Sequence, residues 1–463
     1  MTEAKLENMI RTGARAHLIG IGGVSMSPLA QVLTRSGVIV TGSDVKKSAA
    51  IDALERDGIT VFIGHSRKNV SGAEFIIRTA AARDDNPEVL EARALGIPVF
   101  ERADAWGLIM RGYKNAVCIA GSHGKTTTTS MIAQILLTAN ADPTVMIGGT
   151  LPAIGSGYRV GGGDTIVLES CEYYNSFHKF FPTLSVILNV DADHLDFFGS
   201  LEAVKASFRE FALKTSDTGK VIINGDDENT LDAIAGIARE TISFGTAPSC
   251  DVFCEGLSVT SGGSRFDVLA DERVYARISL RVPGRHNVLN ALAACAAAWT
   301  LGVPGEVVED ALSRFSGAER RFEFKGKING ADIYDDYAHH PTELRSLIDA
   351  AGSLPYKRVL IAFQPHTYSR TYSHFSDFAR ELSRVDKVYL AEIYSARELN
   401  TVGVTSRDLA SAIPGAVYCP SFDDIVRHIT REARPGDLVL TVGAGELDTV
   451  GERLAKIGEA SAV

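Results

Sequence analysis

An α/β fold in three successive units is predicted by three observations. Short apolar strands alternate with helical patterns along the whole chain, which is the signature of parallel sheets with crossover helices. The 463 residues exceed what one compact core holds, and about 150 residues per domain suggests three. Most strands stop at glycines or polar clusters, and open α/β sheets bind their ligands at such carboxyl ends.

The first unit, residues 1–112, opens with an apolar strand over 16–21 that runs into Gly20, Gly22 and Gly23. A second strand (38–40) ends at Ser43 and Asp44, and a third (74–77) ends at Arg78 and Thr79. Helical patterns cover 27–34, 50–57 and 103–110. The polar stretch Arg111-Gly-Tyr-Lys-Asn115 marks the first boundary. The second unit, 113–318, starts with a strand over 117–120, followed by strands over 165–168, 185–188 and 221–223. Each of these later three ends in acids or asparagines: Glu169, Asn189 to His194, and Asn224-Gly-Asp-Asp227. Short strands with Gly and Ser turns over 241–282 suggest a small β insertion, before an Ala-rich helix over 287–299. The third unit, 319–463, carries strands over 332–334, 358–363, 387–393 and 437–442.

Composition narrows the function. A net charge of -10 and a pI near 5.6 argue against a nucleic-acid partner, which needs a basic face. No apolar run reaches the ~18 residues of a membrane span. The N-terminal Met-Thr-Glu-Ala-Lys-Leu-Glu lacks the apolar core of a secretory signal. Six scattered cysteines fit a reduced, cytoplasmic protein, with Cys250 and Cys254 read as incidental thiols.

Gly121-Ser-His-Gly-Lys-Thr126 follows the strand over 117–120 and opens a helix. Free backbone N–H groups at a helix start attract phosphate, a lysine adds positive charge, and a threonine hydroxyl suits Mg²⁺. Gly121, Ser122, His123, Gly124, Lys125, Thr126 and Thr127 are therefore expected to bind a nucleotide. The loop is shorter than the common eight-residue pattern, since Ile119 stands five before Gly124.

Glu169, just past its strand, is placed to hold a metal, with Glu172 its competitor. His194 sits among acids in Asn189-Val-Asp-Ala-Asp-His-Leu-Asp196. Asn287 and Asn290 share one face near a helix start; capping by Asn287 is the alternative. Tyr334-Asp-Asp-Tyr-Ala-His-His-Pro-Thr342 and Phe363-Gln-Pro-His-Thr-Tyr-Ser-Arg-Thr371 bring acids, histidines and Arg370 to strand ends, without the framework of a zinc site. Gly20, Gly22, Gly23, Ser43, Asp44 and Thr79 form a candidate diphosphate and sugar site. An NAD reading of that loop is disfavoured, because Ser25 replaces the third glycine of Gly-x-Gly-x-x-Gly.

Together the phosphate loop, Asn189 to Asp196, Gly284-Arg-His-Asn-Val-Leu-Asn-Ala291 and Asp335-Asp-Tyr-Ala-His-His-Pro-Thr-Glu343 resemble the bacterial Mur ligases. The likeness runs from His17-Leu-Ile-Gly-Ile-Gly-Gly to Val442-Gly-Ala-Gly445. It implies a Rossmann-like N-terminal domain for a UDP-sugar, a central P-loop ATPase domain and a Rossmann-like C-terminal domain for an amino acid. It implies ligation of L-alanine to UDP-N-acetylmuramate (the lactyl carboxylate of UDP-N-acetylmuramic acid), using ATP and Mg²⁺. Lys125 and Thr126 would then hold the β- and γ-phosphates and Mg²⁺, and Glu169 and His194 would bind metal. Asn287, Asn290, Arg321 and Asp336 would line the ATP site, and Arg370 would meet the amino-acid carboxylate. Three departures from the common pattern stand out. Glu169-Ser-Cys-Glu-Tyr-Tyr-Asn-Ser-Phe177 lacks two aspartates, Thr367 replaces an arginine, and Ser122 replaces a threonine.

Overall fold

The computed structural model describes residues 2–461 except 80, 261, 262 and 397. Three sheets follow one another along the chain. The first has five parallel strands in the order Thr60–Ile63, Ile39–Asp44, Arg15–Ile19, Phe75–Arg78, Val99–Glu101. Its central strand is buried on both faces, which a run of apolar residues with a buried His17 allows. The edge strands Thr60–Ile63 and Val99–Glu101 add to the three expected from the sequence; both are short and only partly buried, so they give little apolar signal.

The second sheet has ten strands. Asn115–Ala120 lies at its centre, between Thr165–Glu169 and Leu184–Ile187, with parallel pairing on both sides. Thr144–Leu151 and Ser156–Arg159 complete one edge. On the other side follow Lys220–Asn224 and Glu240–Gly245. The strands expected as an insertion after Thr241 continue this sheet: Phe244 pairs with Val252, and Val252–Thr260, Gly263–Ala270 and Arg273–Leu280 extend it as an antiparallel meander. The buried helix Arg285–Thr300 packs across it, its alanines allowing close approach.

The third sheet runs Glu323–Ile328, Ala331–Asp336, Asp437–Val442, Arg358–Phe363, Lys387–Leu390, Val417–Tyr418; all but the first pairing are parallel. Among the described residues, no helix is long and apolar enough to cross a membrane.

The units are joined by two kinds of contact. One apolar cluster runs without a break from Leu18 and Leu29 through Trp106 to Phe177, Phe180 and Phe208, so the first and second units share a core. The helix Arg102–Met110 makes that joint: a Cβ at Gly107 would lie 1.9 Å from the Lys179 carbonyl oxygen, and Arg111 stacks 3.7 Å over the Phe181 ring. The third unit has its own cores, and among the described residues no buried apolar cluster joins them to the second. Polar contacts make that joint instead.

Inside the first unit Glu88 is fully buried. It accepts from Ser43 Oγ at 2.6 Å and from Asn69 Nδ2 at 2.6 Å, with His65 Nδ1 at 3.0 Å and His17 Nε2 at 3.7 Å. Burial alone would raise its pKa; the hydrogen bonds outweigh burial and bring it down to about 2. Its contribution to stability is therefore present above pH 4.5 and lost as pH falls from 4.5 to about 2. Glu88→Gln is expected to destabilise the fold by about 1–3 kcal/mol at pH 7. The gap from the parent in thermal unfolding should close as the pH approaches 2.

Candidate active site

The phosphate loop follows the central strand of the ten-stranded sheet, where chain connections leave on both sides. Gly124 caps the following helix, Lys125–Thr138, with φ +86°. A side chain there would be strained, and its Cβ would stand 2.5 Å from Asn290 Oδ1. The adjacent strand end fastens the loop: Asn189 Oδ1 accepts from His123 N at 2.8 Å, and Asn189 Nδ2 donates to His123 O at 3.0 Å. Ser122 N donates to Asn189 O, and Ser122 Oγ accepts from Asp191 N. The first N–H groups of the helix have no intrahelical acceptor, a geometry that suits an anion.

Lys125 Nζ folds back to the Gly121 and Ser122 carbonyls and to Glu172, at 3.0 and 3.1 Å from its two oxygens. Burial works against the ammonium, but the surrounding charges of Glu172 and Glu169 raise its pKa above the ordinary lysine value. Thr126 Oγ1 donates to Glu169 Oε1 at 3.2 Å, and Glu169 Oε2 accepts from Gly148 N at 2.7 Å.

The expected metal trio is divided. Thr126 and Glu169 meet, whereas His194 stands beside Glu172 (3.8 Å) and Asp193 (3.7 Å). All of Thr126, Glu169, Asp193 and His194 line one chamber, so they face the same space from different walls. Burial lowers the His194 pKa despite the neighbouring carboxylates, so its ring is neutral at pH 7 and able to accept a ligand bond.

Three clefts run in series. The first is lined by His123, Gly124, Thr127, Asn287, Asn290, Arg321 and Asp336 together with Phe244, His286 and Leu347. Asn287 lies inside the helix, which Gly284 caps, and its Nδ2 donates to Pro283 O. Burial pushes Asp336 up to about 6 even with Arg321 near, and pushes His286 down to about 4. The second cleft shares Gly124, Arg321 and Glu343 with the first and adds Ser122, Lys125, Thr126, Glu169 and His194. Val24, next to the first unit's glycine loop, also lines it. The third cleft is formed by Tyr173, Asp193 and His194 on one side and His366, Ser369, Arg370, His374 and Glu398 on the other.

In the first unit, Gly22 N donates to Asp44 Oδ2 at 2.9 Å, and a Cβ at Gly20 (φ +78°) would collide with Thr79. Gly20, Gly22, Gly23, Asp44 and Thr79 are thus together at one sheet edge. Ser43 differs from them: its hydroxyl is fully buried and donates to Glu88. Arg370 is already engaged, with Nη2 donating to Asp193 Oδ1 at 3.1 Å and Nη1 3.0 Å from His366 Nδ1. Asp193, Thr342 and Glu343 escaped the sequence reading, although the acid-rich stretch Asn189 to Asp196 was the signal for the first. Lys205, the nearest lysine downstream of His194, pairs with Glu202 and Asp232 and lines none of these three clefts.

Residues 15–114 match the Mur ligase family, catalytic domain; 119–298 match the Mur ligase middle domain; and 320–445 match the Mur ligase, glutamate ligase domain. A UDP-N-acetylmuramate–L-alanine ligase of Caldanaerobacter subterraneus subsp. tengcongensis is 44% identical over 444 residues, 95% of this chain and 96% of that protein. The chain belongs to the Mur ligase family. As a Mur ligase it is an ATP-dependent ligase. The enzyme of the same name from Lachnospira eligens is 45% identical over 447 residues, 95% of this chain and 97% of that protein. The crystal structure of UDP-N-acetylmuramate-alanine ligase from Thermotoga maritima superposes with a TM-score of 0.80 at 29% identity, over 96% of this chain and 99% of that one. A murein peptide ligase from Psychrobacter arcticus shares the fold (TM-score 0.72, 24% identity, 96% and 98% covered).

Lys125 and Glu172 are a buried pair, so removing one charge strands the other. Lys125→Met is expected to cut phosphate release by about 10²–10³-fold and to lower the thermal midpoint. Lys125→Met with Glu172→Gln should regain the midpoint but not the turnover.

Proposed function

We propose that this Mur ligase joins L-alanine to the lactyl carboxylate of UDP-N-acetylmuramic acid at the expense of ATP. The observation that carries the reading is the series of three clefts meeting at one chamber, with the phosphate loop between them. The relatives named above support the choice of substrates. In this reading residues 1–112 hold the UDP-sugar, 113–318 hold ATP, and 319–463 hold the amino acid.

ATP lies in the first cleft, its base and ribose among Asn287, Asn290, Arg321, Asp336 and the apolar Phe244 and Leu347. Its β- and γ-phosphates meet the helix N-terminus and Lys125, which exchanges Glu172 for phosphate. The UDP-sugar enters from the glycine loop past Val24, bringing its carboxylate into the chamber. A carboxylate oxygen takes the γ-phosphoryl group, giving an acyl phosphate and ADP. The amine of L-alanine then attacks the carbonyl carbon; the C–N bond forms, the C–O bond to phosphate breaks, and the amine loses its proton. Arg370 offers a planar fork to the alanine carboxylate and orients the nucleophile.

The Thr126 hydroxyl and Glu169 carboxylate are oxygen donors that suit Mg²⁺, and the neutral His194 ring is a further donor across the chamber. Bound there, Mg²⁺ supplies positive charge against the phosphates. Closure of the three domains around the substrates excludes water from the acyl phosphate.

Two tests follow. Glu169→Gln removes charge at little change in volume, so the Mg²⁺ concentration for half-maximal phosphate release should rise about tenfold or more; a larger rise in Glu172→Gln would transfer the role to that residue. With ATP and UDP-N-acetylmuramate, L-alanine should be used best, with glycine and L-serine slower by about 10- to 200-fold. Arg370→Lys should raise the KM for alanine far more than that for ATP. Preference for an L-Ala-γ-D-Glu-linked peptide over alanine would make the enzyme a peptide-recycling ligase, the activity class in the name of the Psychrobacter protein.

A further inference from the structure

The third domain, lacking an apolar weld to the second, meets it at the phosphate loop itself. Thr342 Oγ1 donates to Asp191 Oδ2 at 2.7 Å. The same carboxylate oxygen lies 3.0 Å from His123 Nε2, and the other face of that ring, Nδ1, stands 3.4 Å from Glu343 Oε1. His123 is thus held between one acid of each domain. His340 lies beside it with its ring tilted, ring centroids 4.9 Å apart, and its Nδ1 is 3.9 Å from Asp191.

The charges fit this arrangement. Burial opposes a charged His123, but Asp191 and Glu343 prevail and raise its pKa to about 9. Burial and the charge on His123 push His340 down to about 4, so one ring is cationic and its neighbour neutral. Thr342 and Glu343 open the helix Pro341–Gly352, so the helix N-terminus also faces the Asp191 carboxylate. On the other side, Asp191 N donates to the Ser122 hydroxyl, and Asn189 holds the backbone of Ser122 and His123. Contact is therefore continuous from the third-domain helix to the loop that faces the phosphates.

We infer that Asp191, His123 and Thr342 form a latch that couples docking of the third domain to the shape of the phosphate loop. The loop is held in its nucleotide-binding shape when the third domain, with the amino-acid subsite, is docked. These are positioning residues, acting through the loop backbone. The inference rests on the ATP-binding reading of that loop.

The test uses the full-length chain as parent, Thr342→Val, Asp191→Asn and the double variant. Thr342→Val removes only the hydroxyl hydrogen bond at nearly constant volume, so it keeps the test meaningful even where Asp191→Asn folds poorly. Three quantities are read: the affinity for an ATP analogue by calorimetry, the KM for ATP against kcat, and the radius of gyration by small-angle scattering. Thr342→Val should weaken nucleotide binding and raise the KM for ATP about tenfold, with a smaller effect on kcat, an unchanged thermal midpoint and a larger radius of gyration with nucleotide bound. The double variant should be no worse than Asp191→Asn alone, because both changes break one contact. Multiplied effects in the double variant, or a Thr342→Val chain that binds nucleotide and closes like the parent, would overturn the latch. A parent that fails to bind the analogue would instead overturn the ATP reading.

Discussion

A phosphate loop must keep backbone donors free for its ligand, and this requirement shapes the surrounding structure. A loop whose N–H groups wait for an anion cannot stabilise itself, so its neighbours must hold it. Asn189 does so from the adjacent strand end, gripping both backbone groups of His123. Glu172 holds Lys125. Asn290 crowds Gly124 from the Ala-rich helix, and Thr128 donates to the same asparagine. The positions of the central strand, the next strand and the buried helix all answer to a few ångströms of loop.

Charge distribution follows the same logic. Glu169 and Asp193 line the chamber, Glu172 and Asp191 stand beside it, and Lys125, His123 and Arg370 pair with Glu172, Asp191 and Asp193 in turn. Each of these three cations is held by a carboxylate, which avoids leaving a buried charge alone.

Local features were legible in the amino-acid sequence and distant pairings were not. The strand, glycine loop and Lys-Thr pair over 117–126 are contiguous, so their arrangement could be read directly. The strands over 358–363 and 437–442 were legible for the same reason, being mostly apolar stretches bounded by polar residues. Asp193 finds Arg370 177 residues downstream, and Asp191 finds Thr342 151 residues away. No local pattern carries such pairs. Ser43 shows the opposite failure: a hydroxyl at a strand end looked like a ligand group, and only Glu88, 45 residues on, turns it inward. The strands after Thr241 were visible as strands, but their hydrogen bonding to Glu240–Gly245 depends on a register that turn residues do not specify.

The unequal joints between the three units decide how the molecule can be taken apart. Cutting near residue 112 would split the shared core and bare Trp106 on one fragment and Phe177 and Phe180 on the other, an apolar wound that invites aggregation. Cutting near residue 318 severs mainly hydrogen bonds and ion pairs whose groups water can solvate. Limited proteolysis and recombination between relatives should therefore treat the chain as two modules, an inseparable pair of units and an exchangeable third.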